Sequence, residues 1–293
     1  MPSLKEVRSR ITSVNSTKQI TAAMKMVSAA KLRRAQDAIL RMRPYAEKLG
    51  QIMGNVSAGL DPSEGKYGQQ REVQRTLYVA ITSNRGLAGA FNAQIVRQIK
   101  RLAQGTPGQV HVLPIGKKAM DQFKRTSWHT TDLPTDLARL FDDLSFDQVA
   151  PVAQLLMDKF ADGSYDRVVL VYNRFKNAAT QVVTTEQFLP IVATGEEASE
   201  GSSATSKGEH IMEPDRATIV EQIIPKSLKV QLYKALLDSH AAEHGARMTA
   251  MHKATDNADS LLKDLKLTYN KARQASITNE ILEIVGGAEA LKG

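Results

Sequence analysis

"HAAEH", His240 to His244, matches the His-x-x-Glu-His pattern of zinc peptidases, in which two histidines one helical turn apart ligate zinc and the glutamate activates water. The spacing suits two ligands, but a peptidase also needs a third ligand and a cleft for its substrate. The chain around the motif reads as one continuing helix with His244 on its apolar stripe, which offers neither. "SNRGLAGAFN", Ser83 to Asn92, follows a strand and opens a helix, where free backbone N–H groups can bind phosphate. It contains neither Gly-x-Gly-x-x-Gly nor a Walker lysine motif, so a tight strand-to-helix turn is expected. His111, His129, His210 and His252 are scattered singly. No serine, histidine and acid constellation stands out, and no catalytic residue, metal ligand or cofactor is expected.

The chain has 293 residues, 42% of them hydrophobic and 24% charged, enough to bury one or two ordinary cores. No apolar run approaches the roughly 18 residues that span a bilayer, and "MPSLKEVRSRITSV" lacks the apolar centre of a secretory signal, so any membrane contact is expected to be indirect. The absence of cysteine excludes disulfides, thiol redox switching and cysteine-ligated metal. The net charge is +8, and residues 1–57 alone carry eleven bases against three acids, which equals the whole excess. A basic helix is either a solvated face or the mark of an anionic partner, whether nucleic acid, lipid headgroup or acidic protein surface. A nucleic-acid-binding coiled coil would show affinity that falls steeply with salt. The aromatic content of 5% and the spread of the bases around the helix speak against it.

Three regions separate by periodicity. Leu4, Val7, Ile11 and Val14 are spaced three, four, three, and the same spacing returns at Leu32, Ala35, Ile39 and Met42. Between them Ile20, Met24 and Val27 continue the stripe with a shifted phase. Pro44 is expected to kink or end this helix unless the following residues resume it, and "GLDPSEGKYG", Gly59 to Gly68, is a loop. "TLYVAIT" (76–82), "VHVLPIG" (110–116), "RVVLVYNRF" (167–175) and "QVVTTEQFL" (181–189) read as strands. Helical patterns lie between them at 90–102, 117–125 and 146–160. Alternating strands and helices imply a small, Rossmann-like, mostly parallel α/β domain over 74–192. Residues 193–216 contain "TGEEASEGSSATSKGEH", which has too little apolar surface to offset the entropy of ordering and is expected to be a mobile loop.

From Val230 the stripe runs through Tyr233, Leu237, Ala241, His244, Met248, Met251, Thr255, Ala258, Leu262, Leu265, Tyr269 and Ala272. Apart from one extra step of four, the spacing alternates three and four, a coiled-coil seam of about six heptads. Lys226 to Val285 contains no proline and one glycine, Gly245, before Gly286 and Gly287, where the helix is expected to stop. Such a helix is on the order of 90 Å long and must leave an α/β body about 40 Å across. A narrow apolar stripe is marginal alone in water, so residues 217–293 are expected to pair antiparallel with residues 1–57. Ile281, Leu282, Ile284 and Val285 then put apolar side chains on nearly every side of the tip.

The whole chain resembles the gamma subunit of F-type ATP synthases, most strongly at its two ends. The resemblance rests on "VRSRITSVNSTKQITAAMKMVSAAKLRRAQ" (7–36), "RPYAEKL" (43–49), "SNRGLAGAFN", "EPD" (213–215) and "ARMTAMHKATDNADSLLKDLKLTYNKARQASITNEILEIVGGAEAL" (246–291). It implies a non-catalytic central shaft whose terminal helices coil inside a ring of three alpha and three beta subunits. The α/β domain then stands on the membrane rotor ring of c subunits with the epsilon subunit, and proton flow drives the beta-subunit sites. By the same resemblance Arg273 and Gln274, with Thr278 and Glu280 nearby, lie where the C-terminal helix meets loops of the ring. Met24, Lys25 and Arg247 lie near contacts with an acidic lever of the beta subunit. Ile281, Leu282 and Val285 are expected to outrun the partner helix and enter an apolar collar. Lys25, Lys31, Arg33 and Arg34 are expected to act mainly through summed charge, since exposed ion pairs are worth only about 0 to 1 kcal/mol each. Ala88 stands where many relatives have cysteine, and no cysteine-bearing insert of the chloroplast type is present, so thiol regulation is not expected. The absence of a transit segment favours a bacterial protein on the cytoplasmic side of the inner membrane.

Overall fold

The computed structural model describes residues 3–57, 66–130, 132–134, 136–191 and 216–290; the expected loop at 194–210 lies outside these residues, as does most of the one after Gly59. In chain order the elements are α1 (Leu4–Ser57), β1 (Arg75–Ile81), α2 (Phe91–Gly105), β2 (Gln109–Ile115) and α3 (Lys117–Phe123). A 3-10 turn (Leu137–Phe141), α4 (Phe146–Ala161), β3 (Arg167–Phe175), β4 (Gln181–Leu189) and α5 (Arg216–Ala290) follow. They form two compact units, one of Met1–Ala29 with Arg247–Gly293 and one of Ala30–Ala246. Helices α1 and α5 contribute residues to both.

The four strands of the α/β unit lie in the order β2-β1-β3-β4. β1 pairs in parallel with both β2 and β3, and β4 closes the edge antiparallel to β3. β1 is buried on both faces from Thr76 onward, which explains its unbroken apolar run, whereas β4 at the edge is half-exposed over most of its length. On one face Tyr78, Ala80 and Val171 pack against Ile95 and Ile99 of α2 and Phe123 of α3. On the other, Leu77, Val79 and Leu170 meet Leu156 and Phe160 of α4 and Leu232 and Leu236 of α5. Gly245 permits the close approach of the β3–β4 connection to α5. A Cβ there would stand 3.2 Å from the Cα of Ala178 and 3.3 Å from the Phe175 ring.

"SNRGLAGAFN" is the tight turn its sequence implies. Asn92 accepts a hydrogen bond from the Ser83 amide at 3.0 Å, and the Ser83 hydroxyl donates to the Arg85 carbonyl at 2.6 Å. Asn84 donates to the Ala138 carbonyl at 2.7 Å and accepts from the Lys117 amide at 3.1 Å, tying the turn to two neighbouring segments. The Ser83, Asn84 and Asn92 side chains are thus committed to holding the backbone.

The terminal unit is an antiparallel pair. Lys18 forms an ion pair with Asp259, and Thr21 shares a hydroxyl hydrogen bond of 2.9 Å with Thr255. The first residue advances as its partner recedes. The C-terminal seam lies where its spacing implies: from Met251 through Ala258 and Leu262 to Ala272 each seam position is buried or half-buried.

Two expectations are corrected and an open one is decided. The N-terminal stripe does not change phase: Ile20 and Val27 are 59% and 57% exposed, while Lys18 and Lys25 are half-buried and Thr21 and Ser28 buried. The alternation of four and three continues unbroken from Val14 through Lys18, Thr21, Lys25, Ser28, Leu32 and Ala35, and three of its four polar members have hydrogen-bond partners. Lys18 and Thr21 bond across the seam, and the Ser28 hydroxyl donates to the Met24 carbonyl at 2.8 Å. Of the alternatives at Pro44, the resumed helix is the one found: α1 runs through it to Ser57. The second correction is that Gly286 and Gly287 do not end α5, which continues to Ala290. Neither has a positive φ. A Cβ would meet nothing at either position, so the left-handed stop that favours glycine is not used here.

Candidate interaction surface of the terminal helices

The pairing of Lys18 with Asp259 and of Thr21 with Thr255 fixes the register of the coil. Polar pairs inside an apolar seam specify alignment at some expense of stability, since a slip would leave them unmatched. Continued residue for residue, the register sets Leu4 opposite about residue 273 of α5. Beyond that point α5 has no partner from α1. Ala275 and Ser276 are the last half-buried positions, and every described side chain from Ile277 to Glu289 is exposed. Ile281, Leu282, Ile284 and Val285 are 54%, 63%, 71% and 53% exposed. Scattered exposed apolar residues are ordinary; here four fall within five residues and, at 100° per residue, share an arc of about 160° on one helix.

Seven of the ten residues singled out for partner contact lie on this stretch. Arg273, Gln274, Thr278 and Glu280 are exposed, as are Ile281, Leu282 and Val285. Thr278 donates to the Gln274 carbonyl at 2.9 Å, and Ser276 donates to Glu280 at 3.5 Å, so their polar groups stay on the helix surface. Met24 and Lys25 are half-buried in α1, and Arg247 is buried. The register sets Met24 and Lys25 opposite about residue 252, roughly 8 Å along the helix from Arg247 and about 30 Å from Arg273. The ten residues therefore form two separate groups. The expected seams included Thr255 but not Lys18 and Thr21; strict continuation of the four-three alternation from Val14 names both directly.

The zinc-peptidase alternative finds no third ligand among the described residues. His240 and His244 approach through their Nε2 atoms at 3.1 Å, and Glu243 is buried. Among the described residues no group of three or more His, Cys, Asp or Glu side chains converges. No helix among them is long and apolar enough to cross a membrane. A buried carboxylate does lie nearby in the fold: desolvation pushes Asp238 up to about 6, against the lowering influence of Lys234 and Arg174.

The described residues combine an α/β unit with an antiparallel pair of terminal helices, and the end of α5 carries exposed apolar side chains. Solved structures agree. The chain matches one from the central stalk and c-ring of the Tetrahymena thermophila mitochondrial ATP synthase at a TM-score of 0.57 and 26% identity, over 80% of this chain and 99% of that one. It matches one from the Euglena gracilis mitochondrial ATP synthase at a TM-score of 0.66 and 23% identity, over 98% and 94%. The sequence model of the family described as ATP synthase matches residues 3–291. The ATP synthase gamma chain of Flavobacterium psychrophilum is 58% identical and that of Chlorobaculum tepidum 42%, each over the full length of both chains. The chain belongs to the ATP synthase gamma-chain family. It is a non-catalytic subunit of the central stalk.

Proposed function

We propose that the chain is the rotor shaft of a proton-driven ATP synthase. It couples rotation of a membrane ring of c subunits to ATP synthesis and hydrolysis at beta-subunit sites. Three alpha and three beta subunits surround the terminal coil, and the α/β unit meets the ring together with the epsilon subunit. The assembly works at the cytoplasmic face of a bacterial inner membrane, and the chain is peripheral, held there only through the ring. The observation that carries this reading is the exposed apolar tip beyond the end of the paired seam.

The physics of a bearing supports it. Apolar contact is non-directional, so a tip of Ile281, Leu282, Ile284 and Val285 can turn in an apolar collar without breaking hydrogen bonds at each step. Torque needs a stem that does not slip, and the Lys18–Asp259 and Thr21–Thr255 pairs resist sliding of one helix along the other. Arg273, Gln274, Thr278 and Glu280 present polar groups to ring loops just below the tip. Met24, Lys25 and Arg247 form the second contact zone, toward the acidic lever of the beta subunit.

Co-expression with the alpha and beta chains of a close relative tests the proposal: one copy per three alpha and three beta chains is expected, with ATP-driven rotation of a bead fixed to the α/β unit. A complex that forms and rotates without this chain would refute it. Charge at the second zone acts collectively. Lys31, Arg33 and Arg34 are exposed and Lys25 half-buried, and exposed pairs contribute about 0 to 1 kcal/mol each. Reversal of any one to glutamate should therefore change ATP hydrolysis by less than about fivefold, and reversal of all four by more than any single change. Near-total loss from one reversal would contradict summed attraction.

A further inference from the structure

Helix α2 carries Arg97, Lys100 and Arg101 and no acidic residue over Phe91–Gly105. Arg97 and Lys100 are three positions apart, hence neighbours on one face. Both are exposed, and among the described residues neither side chain has an ion pair or hydrogen bond. That face borders a cleft of about 420 Å3 between α2 and α3, walled by Asn92, Val96, Arg97 and Lys100 on one side and Lys118 and Gln122 on the other. The volume falls within the range of small-ligand sites, about 300–1,000 Å3. No aspartate or glutamate is among the described residues that line it, so three cations surround one space. Of the three, Lys118 alone has a carboxylate within reach, Asp121 at 3.9 Å, and Lys124 approaches the same carboxylate more closely at 3.6 Å.

Both walls are anchored to the end of β1. The Asn92 side chain accepts from the Ser83 amide at 3.0 Å, and the Lys118 amide donates to the Ser83 carbonyl at 3.2 Å. The Thr82 hydroxyl accepts from the Ala119 amide at 2.8 Å, fixing the start of α3 a second time. The separation of the walls is therefore set by backbone and buried polar bonds before any ligand arrives.

We propose that this cleft binds one small polyphosphate anion, with Arg97, Lys100 and Lys118 around its phosphate oxygens. Like charges that face one space repel, and a multiply charged anion between them turns that repulsion into attraction. The Arg97 guanidinium can offer two parallel N–H donors to one phosphate, while the lysines act as point charges. Linked phosphates present more oxygens to three cations than a single phosphate does, so affinity rises from orthophosphate to pyrophosphate. The diphosphate group can arrive free or as part of a nucleoside diphosphate. The cleft lies wholly within the α/β unit and does not rest on the shaft reading.

The test is a 1H–15N NMR titration of the full-length chain in metal-free buffer with sodium pyrophosphate, repeated with ADP and with orthophosphate. Pyrophosphate is expected to saturate one site with a dissociation constant of about 1 mM or below, shifting the amides of Arg97, Lys100 and Lys118 together. Arg97→Gln and Lys100→Gln should each weaken binding by about tenfold, and glutamine preserves the helix. Arg101→Gln removes an exposed cation from the same helix outside the cleft and should change binding by less than about twofold. ADP that binds with the same losses makes a nucleotide the natural source, and pyrophosphate binding without ADP binding makes it the free anion; either result supports the site. Absence of saturable shifts, orthophosphate binding as tightly as pyrophosphate, equal losses in all three variants, or shifts centred on the basic residues of α1 would overturn it.

Discussion

Gly116→Ala is expected to destabilise the α/β unit by about 2 to 6 kcal/mol, read by urea unfolding of the isolated chain. Gly116 joins β2 to α3 with φ of 108° and ψ of 144°, a backbone region essentially reserved for glycine. A Cβ on it would stand 2.2 Å from the Thr82 carbonyl oxygen and 2.8 Å from its carbonyl carbon. Neither can withdraw cheaply. The Thr82 amide donates to the Ile115 carbonyl at 2.8 Å, and its hydroxyl accepts from the Ala119 amide at 2.8 Å, so the residue is bonded on both sides. Backbone strain of about 1 to 3 kcal/mol and overpacking of about 1 to 3 kcal/mol therefore add. Gly105→Ala is the control, because a Cβ there meets nothing and φ is not positive. It should leave stability unchanged or raise it by up to about 1 kcal/mol. A Gly116→Ala chain within 1 kcal/mol of the parent would mean that the β2–α3 connection moves more freely than its bonds allow.

The four strands were legible because each is a short run of β-branched and aromatic residues bounded by turn formers, and burial of β1 and β3 on both faces requires that composition. Gly116 was not legible. In the sequence it is one more glycine after a strand, and its role follows from where Thr82 lies across the sheet. The C-terminal seam was readable since its buried members are mostly apolar or small. The N-terminal seam misled for the opposite reason. Between Val14 and Leu32 its inward positions are Lys18, Thr21, Lys25 and Ser28, while Ile20 and Val27 face outward. A rule that follows hydrophobicity leaves the true stripe there, whereas one that follows spacing stays on it. Helix ends were least readable. Pro44, Pro225, Gly286 and Gly287 are each compatible with a stop, yet all lie inside helices, as local preferences of about 1 to 3 kcal/mol can be overridden by context. The tip could be read from composition, but its lack of a partner required the register of the coil.

The largest functional effect is expected at that tip. The triple variant Ile281→Gln, Leu282→Gln, Val285→Gln should melt within about 0.5 kcal/mol of the parent, because exposed side chains away from special features contribute that little. Glutamine is also a good helix former, so α5 itself should persist. Association with the ring of alpha and beta chains should weaken by about 100-fold or more. Buried apolar anchors at an interface are commonly worth more than about 1 kcal/mol each, and three are removed together. Leu262→Gln supplies the contrast. Leu262 is buried in the coil, so a polar group there should lower the melting temperature of the isolated chain as well. The two readouts separate the proposed roles, a seam that holds the two helices together and a tip that engages the surrounding ring. Unchanged association of the triple variant would remove the bearing from the tip, and a lowered melting temperature would mean that those side chains pack against their own chain. A separate loss in each readout follows if α5 outlives its partner helix so that another protein can enclose its end.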